Sequence, residues 1–420
     1  MTTNQDQLLA LMLDDETDGV DAILPRAVHG DGAAPLSFQQ QRLWFLQRYE
    51  SRSTAYNLCR AFRLEGPCDG AALQAALRAL VQRHAVLRTR FEERDGLPLQ
   101  IVEEHASLAL GRETAPAGDA AAWLAARLRR EADTPFDLGA APLLRATLID
   151  CGREHAVLML SMHHIVSDAW SNPVLIRDLA QAYRAAQAGM PGLPALPLQY
   201  ADYAAWQRAM LQGAHLDAEL AYWTAYLGQD VPALNLPVLA DGPASAQASG
   251  SHAFALPPAL ARAALAFCRA EQCTPFVILM AAWQLVLGGL SGQRDFAIGV
   301  PNAGRNRQEV HELIGFFVNT QVYRARLASG LTPRTLCRRL RGEALAALNH
   351  AELPFELLLD AMRIERDLSR NPLFQALFNL RHEGAAASAV PVLDGLSVSL
   401  LSEAQVEAKF DLSLDVAIGA

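Results

Sequence analysis

Lysine is almost missing from this chain: Lys409 is the only one, and arginine supplies the other basic side chains. With 36 basic against 45 acidic residues the formal net charge is -9, and basic residues form nothing denser than pairs such as Arg129-Arg130 and Arg338-Arg339. A polyanion finds no binding patch in such a chain, so nucleic acid is not an expected partner. Abundant alanine beside scarce lysine reads as genomic base composition, not function. The six cysteines, at 59, 68, 151, 268, 273 and 337, contain no CxxC pair and no histidine at zinc-ligand spacing. They read as reduced cytosolic thiols, and no metal is expected. No run of about 18 apolar residues occurs, and the N-terminus carries acidic residues without an apolar stretch flanked by Arg or Lys. Neither secretion nor membrane insertion is expected, and the chain is read as cytoplasmic.

What is present is a globular composition, 51% apolar and 19% charged over 420 residues. That length suits two domains, each burying its own core. Residues 1–34 hold one short apolar segment, Leu8–Leu13, then acidic and Gly/Ala-rich sequence, and read as a linker or docking element. The most informative stretch is Ser161-Met-His-His-Ile-Val-Ser-Asp-Ala-Trp-Ser171. The run before it, Ala156 to Met162, is too continuously apolar for a half-exposed strand and has the length of one buried on both faces. Successive side chains on an extended backbone point to opposite faces, so His163 and His164 cannot both enter one cavity. One is expected to be structural and the other available. Asp168 follows where a loop can fold its carboxylate back, to orient an imidazole or to hold the loop itself. A helix then starts with Ser171 or Asn172 as cap, Pro173 in the first turn, and Leu175, Ile176, Leu179 and Tyr183 on one face. Taken alone, a buried His-His pair fits packing or metal ligation more often than general-base chemistry.

The rest of the chain has a readable order. Ser37 caps a helix, SFQQQRLWFLQRYE, whose Leu43, Phe45 and Leu46 are expected to face inward. Tyr56–Leu64 reads as a strand, and Asp69 caps a helix with Leu73, Leu77, Leu80 and Val81 on one side. Asp95-Gly96 turns a hairpin, Asp119 caps a helix over 120–130, and Leu144–Ile149 forms the strand before the histidine strand. Gly189, Pro191, Gly192, Pro194 and Pro197 mark a boundary near 190, and 240–251 reads as a polar loop. Beyond them come a buried helix over 274–287 and strands over 296–300, 374–380 and 412–416.

MHHIVSDAWS resembles the HHxxxDG signature of condensation domains from nonribosomal peptide synthetases. The likeness continues in family order: the Ser37 helix resembles the first motif, and RHAVLRTRF (83–91) the second, with Ala85 for the usual Glu. LQYADYAAW (198–206) is similar to the fourth motif with Tyr203 where Phe is common, IGFFVNTQVYR (314–324) to the fifth, HAELPFE (350–356) to the sixth and RDLSRNPL (366–373) to the seventh. The seven span residues 36–416. The resemblance implies an α/β (α+β) fold of two chloramphenicol-acetyltransferase-like lobes in a V-shaped pseudo-dimer, with the active site at the lobe junction. The N-terminal lobe is expected at 35–190 and the C-terminal lobe at 191–420, the latter truncated where the chain stops after KFDLSLDV.

The resemblance also implies an enzyme: an amide-forming acyltransferase that transfers a carrier-bound aminoacyl or peptidyl thioester to the amine of an acceptor thioester. His164 is then catalytic, with His163, Asp168 and Arg88 supporting it and Arg88 paired with Asp168. Ala169, Trp170 and Asn319 fall on the tunnel or acceptor side, although Asn319 reads equally well as an asparagine of a structural turn. No cofactor belongs to the domain itself; the substrates ride on the phosphopantetheine of upstream and downstream carrier proteins, and other synthetase domains are partners. Nucleic acid and membrane are not. The setting implied is bacterial secondary-metabolite, and thus antibiotic, biosynthesis. Ala169 stands where the family has Gly, which adds a methyl beside the amine site and demands a backbone shift if that Gly has positive φ. The alternative is a non-catalytic recruitment module of the same fold that binds carrier proteins. Ser161 and Ser167 lie in no GxSxG, which argues against a serine hydrolase, and the patterns of epimerisation and heterocyclisation domains are not matched.

Overall fold

The computed structural model describes residues 22–26, 32–116, 118–237, 250–364, 371–382, 390–403 and 410–419. The Leu8–Leu13 segment, most of the 240–251 loop and most of RDLSRNPL lie outside the described residues. In the first half the strands are β1 (Ala33–Pro35), β2 (Asn57–Glu65), β3 (Thr89–Arg94), β4 (Leu97–Val102), β5 (Leu110–Thr114), β6 (Leu144–Asp150) and β7 (His155–His163). The second half adds β8 (Asp295–Asn302), β9 (Asn319–Arg326), β10 (Ala376–His382), β11 (Ser397–Glu403) and β12 (Leu412–Ile418). They form sheets ordered β11-β2-β7-β6-β5, β12-β10-β8-β9 and β1-β4-β3.

The unbroken apolarity of β7 has a structural cause. Leu158, Leu160 and Met162 enter one core, with the helices Gly70–Arg83 and Ser171–Gln187, while Val157 and Met159 enter a smaller one on the other face, under the helix Ala120–Ala132. Both faces are covered, so no alternation survives. Local signals place the neighbouring elements as expected. The Asp69 carboxylate accepts the Ala71 and Ala72 amides at 2.9 and 3.0 Å. Asp95 and Gly96 turn β3 into β4 with φ of 51° and 77°, the left-handed pair a two-residue hairpin needs.

A second large core, from Trp223 to Phe378, lies under the β12-β10-β8-β9 sheet with the helices Pro275–Ser291 and Pro333–Asn349. The two lobes exchange material. β11, from the end of the chain, pairs antiparallel with β2 from Ser397↔Glu65 to Glu403↔Arg60, covering what would otherwise be an open edge of the first sheet. A boundary at 190/191 therefore does not assign every strand to one lobe. The helix Phe38–Tyr49 also departs from expectation: Phe45 and Leu46 are exposed, and the buried face carries Gln39, Gln40, Leu43, Trp44 and Gln47. Its spacing is helical, but the face packed at the lobe junction is rich in amides that hydrogen-bond there. Among the described residues no single helix is long and apolar enough to cross a membrane.

Candidate active site at the lobe junction

β7 ends at His163, and the chain turns through a short 3-10 segment, His164–Val166. This change of backbone separates the two imidazoles. His163 is fully buried between Tyr56 and Phe136, with ring centroids 6.3 and 6.2 Å away, and its Nδ1 accepts the Ile165 amide at 3.1 Å. His164 is half-buried, its ring edge-on to Phe316 at 4.9 Å. Nδ1 of His164 lies 2.7 Å from the Ser167 carbonyl oxygen. A carbonyl only accepts, so Nδ1 carries the hydrogen, and in the neutral ring Nε2 carries the lone pair.

Asp168, with no exposed surface, is held from three directions. Oδ1 accepts the Ser171 amide at 2.8 Å and the Ser171 hydroxyl at 2.7 Å, and Oδ2 accepts the Phe317 amide at 3.0 Å. The helix Ser171–Gln187 thus takes its N-terminal acceptor from Asp168, not from the side chain of Ser171 or Asn172. The cationic partner is Arg305, whose Nη2 stands 3.2 Å from Asp168 Oδ1 and 2.9 Å from Ser171 Oγ. Nη1 of Arg305 donates to the carbonyls of Val310 and Leu313 at 2.6 and 2.8 Å, and the guanidinium lies 3.9 Å over the Phe317 ring. Burial lowers the Arg305 pKa, against the pull of Asp168.

The expected Arg88–Asp168 pair is not formed. Arg88 closes the turn Ala85–Arg88 before β3, which directs its guanidinium to the chain just past β4, where it donates to the Glu103 carbonyl. The carboxylate met by this motif is a different one: His84 Nε2 and Arg83 Nε lie 2.8 and 2.9 Å from Asp178 Oδ2.

Ala169 and Trp170 are exposed beside the turn. Ala169 does not have positive φ, so its methyl imposes no left-handed strain. Trp170 Nε1 donates to the His311 carbonyl at 3.2 Å. Asn319, buried at the start of β9, donates to the carbonyls of Ala351 and Leu353 at 3.2 and 2.7 Å and accepts the amides of Thr320 and Phe355 at 2.9 and 3.1 Å. These four bonds use its whole amide capacity, so the structural-turn alternative describes it. It also lines a cavity between the lobes with Gln39, Tyr203, Trp206 and Glu352.

Sequence reasoning missed Arg305, Phe316 and Tyr200. Arg305 sits in PNAGRN, a loop with no periodicity to mark one arginine as buried. A glycine is the clearest signal available for the other two: a Cβ on Gly315 would stand 1.9 Å from the Tyr200 ring, so only glycine lets the 315–317 segment approach. Across the junction Arg42 pairs with Glu356 at 3.4 Å, while burial raises the Glu356 pKa. Among the described residues no group of three or more His, Cys, Asp or Glu is arranged to hold a metal ion.

The family model described as "Condensation domain" matches residues 31–419. A linear gramicidin synthase polypeptide of Brevibacillus parabrevis is 42% identical over 397 residues, 93% of this chain and 5% of that protein. Malpinin synthetase of the fungus Mortierella alpina is 37% identical over 404 residues, 96% of this chain and 5% of that protein. The chain thus spans a small fraction of the relatives it matches, and they are not confined to bacteria. Among solved structures, the X-domain from teicoplanin biosynthesis superposes with a TM-score of 0.85 at 28% identity, covering 94% of this chain and 87% of that one. The X-domain is also solved in a complex with OxyB.

Proposed function

The chain belongs to the condensation-domain family of nonribosomal peptide synthetases, and on that premise we propose that it forms amide bonds between two carrier-bound thioesters. The acceptor α-amine attacks the donor thioester carbonyl, the C–N bond forms, the C–S bond breaks, and the donor thiol leaves as the amine loses a proton. An α-amine has a pKa near ~8, so roughly a tenth is already unprotonated at neutral pH, and positioning competes with base catalysis as the source of rate. His164 is the proposed catalytic residue. Nε2 takes the amine proton or holds the amine by a hydrogen bond while Nδ1–H stays on the Ser167 carbonyl; that bond is the observation carrying the reading. His163 packs behind it, and Asp168, tied to Arg305, holds the loop and moves no proton. Ala169 and Trp170 are assigned to the acceptor side. The substrates arrive on phosphopantetheine arms of a donor and an acceptor carrier protein, in the cytoplasm, and the domain itself needs no metal or soluble cofactor.

A second reading has its own support. The X-domain is known in a complex with OxyB, which suits a condensation-type fold that recruits a partner protein. Incubation with carrier proteins loaded with aminoacyl thioesters separates the two readings, since a recruitment module binds them and forms no amide. Given amide formation, His164→Ala should reduce it by about 10²–10⁴-fold if Nε2 is a general base, and by less if it mainly positions the amine. A normally stable His164→Ala protein with full activity would remove this residue from the mechanism. His163→Ala should act through folding instead, costing roughly 1–3 kcal/mol in thermal or urea unfolding.

A further inference from the structure

The Phe316–Phe317 peptide unit is gripped at both ends. Its N–H donates to Asp168, as described, and its carbonyl accepts the Tyr200 hydroxyl at 2.5 Å. Tyr200 has one hydroxyl hydrogen, already given to Phe316, so at its 2.8 Å contact with Ser37 Oγ it accepts and Ser37 donates. Ser37 Oγ in turn accepts the Gln40 amide at 3.0 Å, and the Gln40 side chain donates to the Ile165 carbonyl at 3.3 Å, one residue past His164. From the Gln40 amide through Ser37 and Tyr200 to the Phe316 carbonyl the bonds run in one direction, and each polarises the next. Tyr200 and Ser37 have no exposed surface to speak of, so water does not replace these partners. The path starts on one lobe, crosses on the helix Tyr200–Met210, and ends on the segment whose Phe316 ring lies against His164.

From this geometry we infer that Tyr200 is a positioning residue for His164: its hydroxyl fixes the Phe316–Phe317 peptide plane, which sets the Phe316 ring and, through it, the pitch of the imidazole. The inference rests on His164 as the group that meets the amine, but its test has a part that does not depend on turnover. Tyr200→Phe keeps the ring that Gly315 accommodates and removes only the hydroxyl. In protein labelled at histidine Cε1, the His164 resonance, identified by its absence in His164→Ala, should move in Tyr200→Phe and move less in Ser37→Ala, which leaves the Tyr200–Phe316 bond in place. Single-turnover amide formation between loaded carrier proteins should fall by about 10- to 100-fold in Tyr200→Phe, with the half-saturating carrier concentration little changed. A merely structural tyrosine would lower the melting temperature and leave both the resonance and the rate, measured well below melting, where they were; that result overturns the inference. If Tyr200→Phe does not fold, an unmoved His164 resonance and an unchanged rate in a folded Phe316→Leu protein, which lacks the ring through which the hydroxyl would act, overturn it as well. A parent protein that forms no amide defeats the proposed function alone, and the resonance still decides the role of Tyr200.

Discussion

Asp168 and Asp178 stand ten residues apart, one just before and one within the same helix, and both carboxylates are fully buried. Their partners come from different places. Asp178 is held within its own lobe, by Arg83 and His84 at the end of the helix Gly70–Arg83 and by Arg177 beside it, 2.8 Å from Oδ1. Asp168 is held by Arg305 and the Phe317 amide, from the far side of the junction. The first arrangement staples one lobe, and the second joins two lobes at the turn that carries His164. A buried carboxylate needs compensation in either case, but only the second ties that compensation to the shape of the site.

Removing Arg305 should produce the largest effect. Arg305→Met leaves Asp168 buried without its cation and should cost about 3–5 kcal/mol in urea unfolding, with activity lost alongside. A double-mutant cycle with Asp168→Asn should return a coupling of about 1–3 kcal/mol; additivity of the two changes would mean the pair does not act as one unit.

The Asp178 cluster should reveal itself through pH. Burial lowers the His84 pKa, the Asp178 bond opposing it only in part. Burial pushes Asp178 upward, but the bonds from His84 and Arg177 prevail and its pKa is lowered. Both groups therefore bind protons less readily folded than unfolded, so their contribution is present at neutral pH and lost on acidification. The loss begins as pH falls below about 6.5 for His84 and below about 3.9 for Asp178. Melting temperature measured against pH should fall less steeply between about pH 6.5 and 5 in His84→Gln than in the parent. Parallel curves would count against this assignment.

The smallest effect is expected at Arg88. Because it serves the Glu103 carbonyl and not Asp168, Arg88→Met and Asp168→Asn should be additive within about 0.5 kcal/mol. A coupling as large as that of Arg305 would restore the pairing expected from sequence.

Much of this site is written locally. The two-sided apolar run of β7, the Asp69 and Asp119 caps and the Asp95-Gly96 turn each depend on residues within a few positions of one another, so their chemistry can be read in place. The separation of His163 from His164 is expected from strand alternation, but it arises because β7 ends at His163 and His164 opens the 3-10 turn. The face of the helix Phe38–Tyr49 is not written locally, because burial of its glutamines depends on what lies across the junction.

By itself the sequence determined the family, the order of its motifs, the strand that delivers the histidines and which carboxylate follows them. Only the tertiary structure decided that Arg305 and not Arg88 meets Asp168, that β11 completes the first sheet, and that Tyr200 reaches Phe316. The physical reason is that arginines are nearly identical as sequence symbols, while an ion pair in a dry interior forms only where two chain segments, here 137 residues apart, are folded to within a few ångströms.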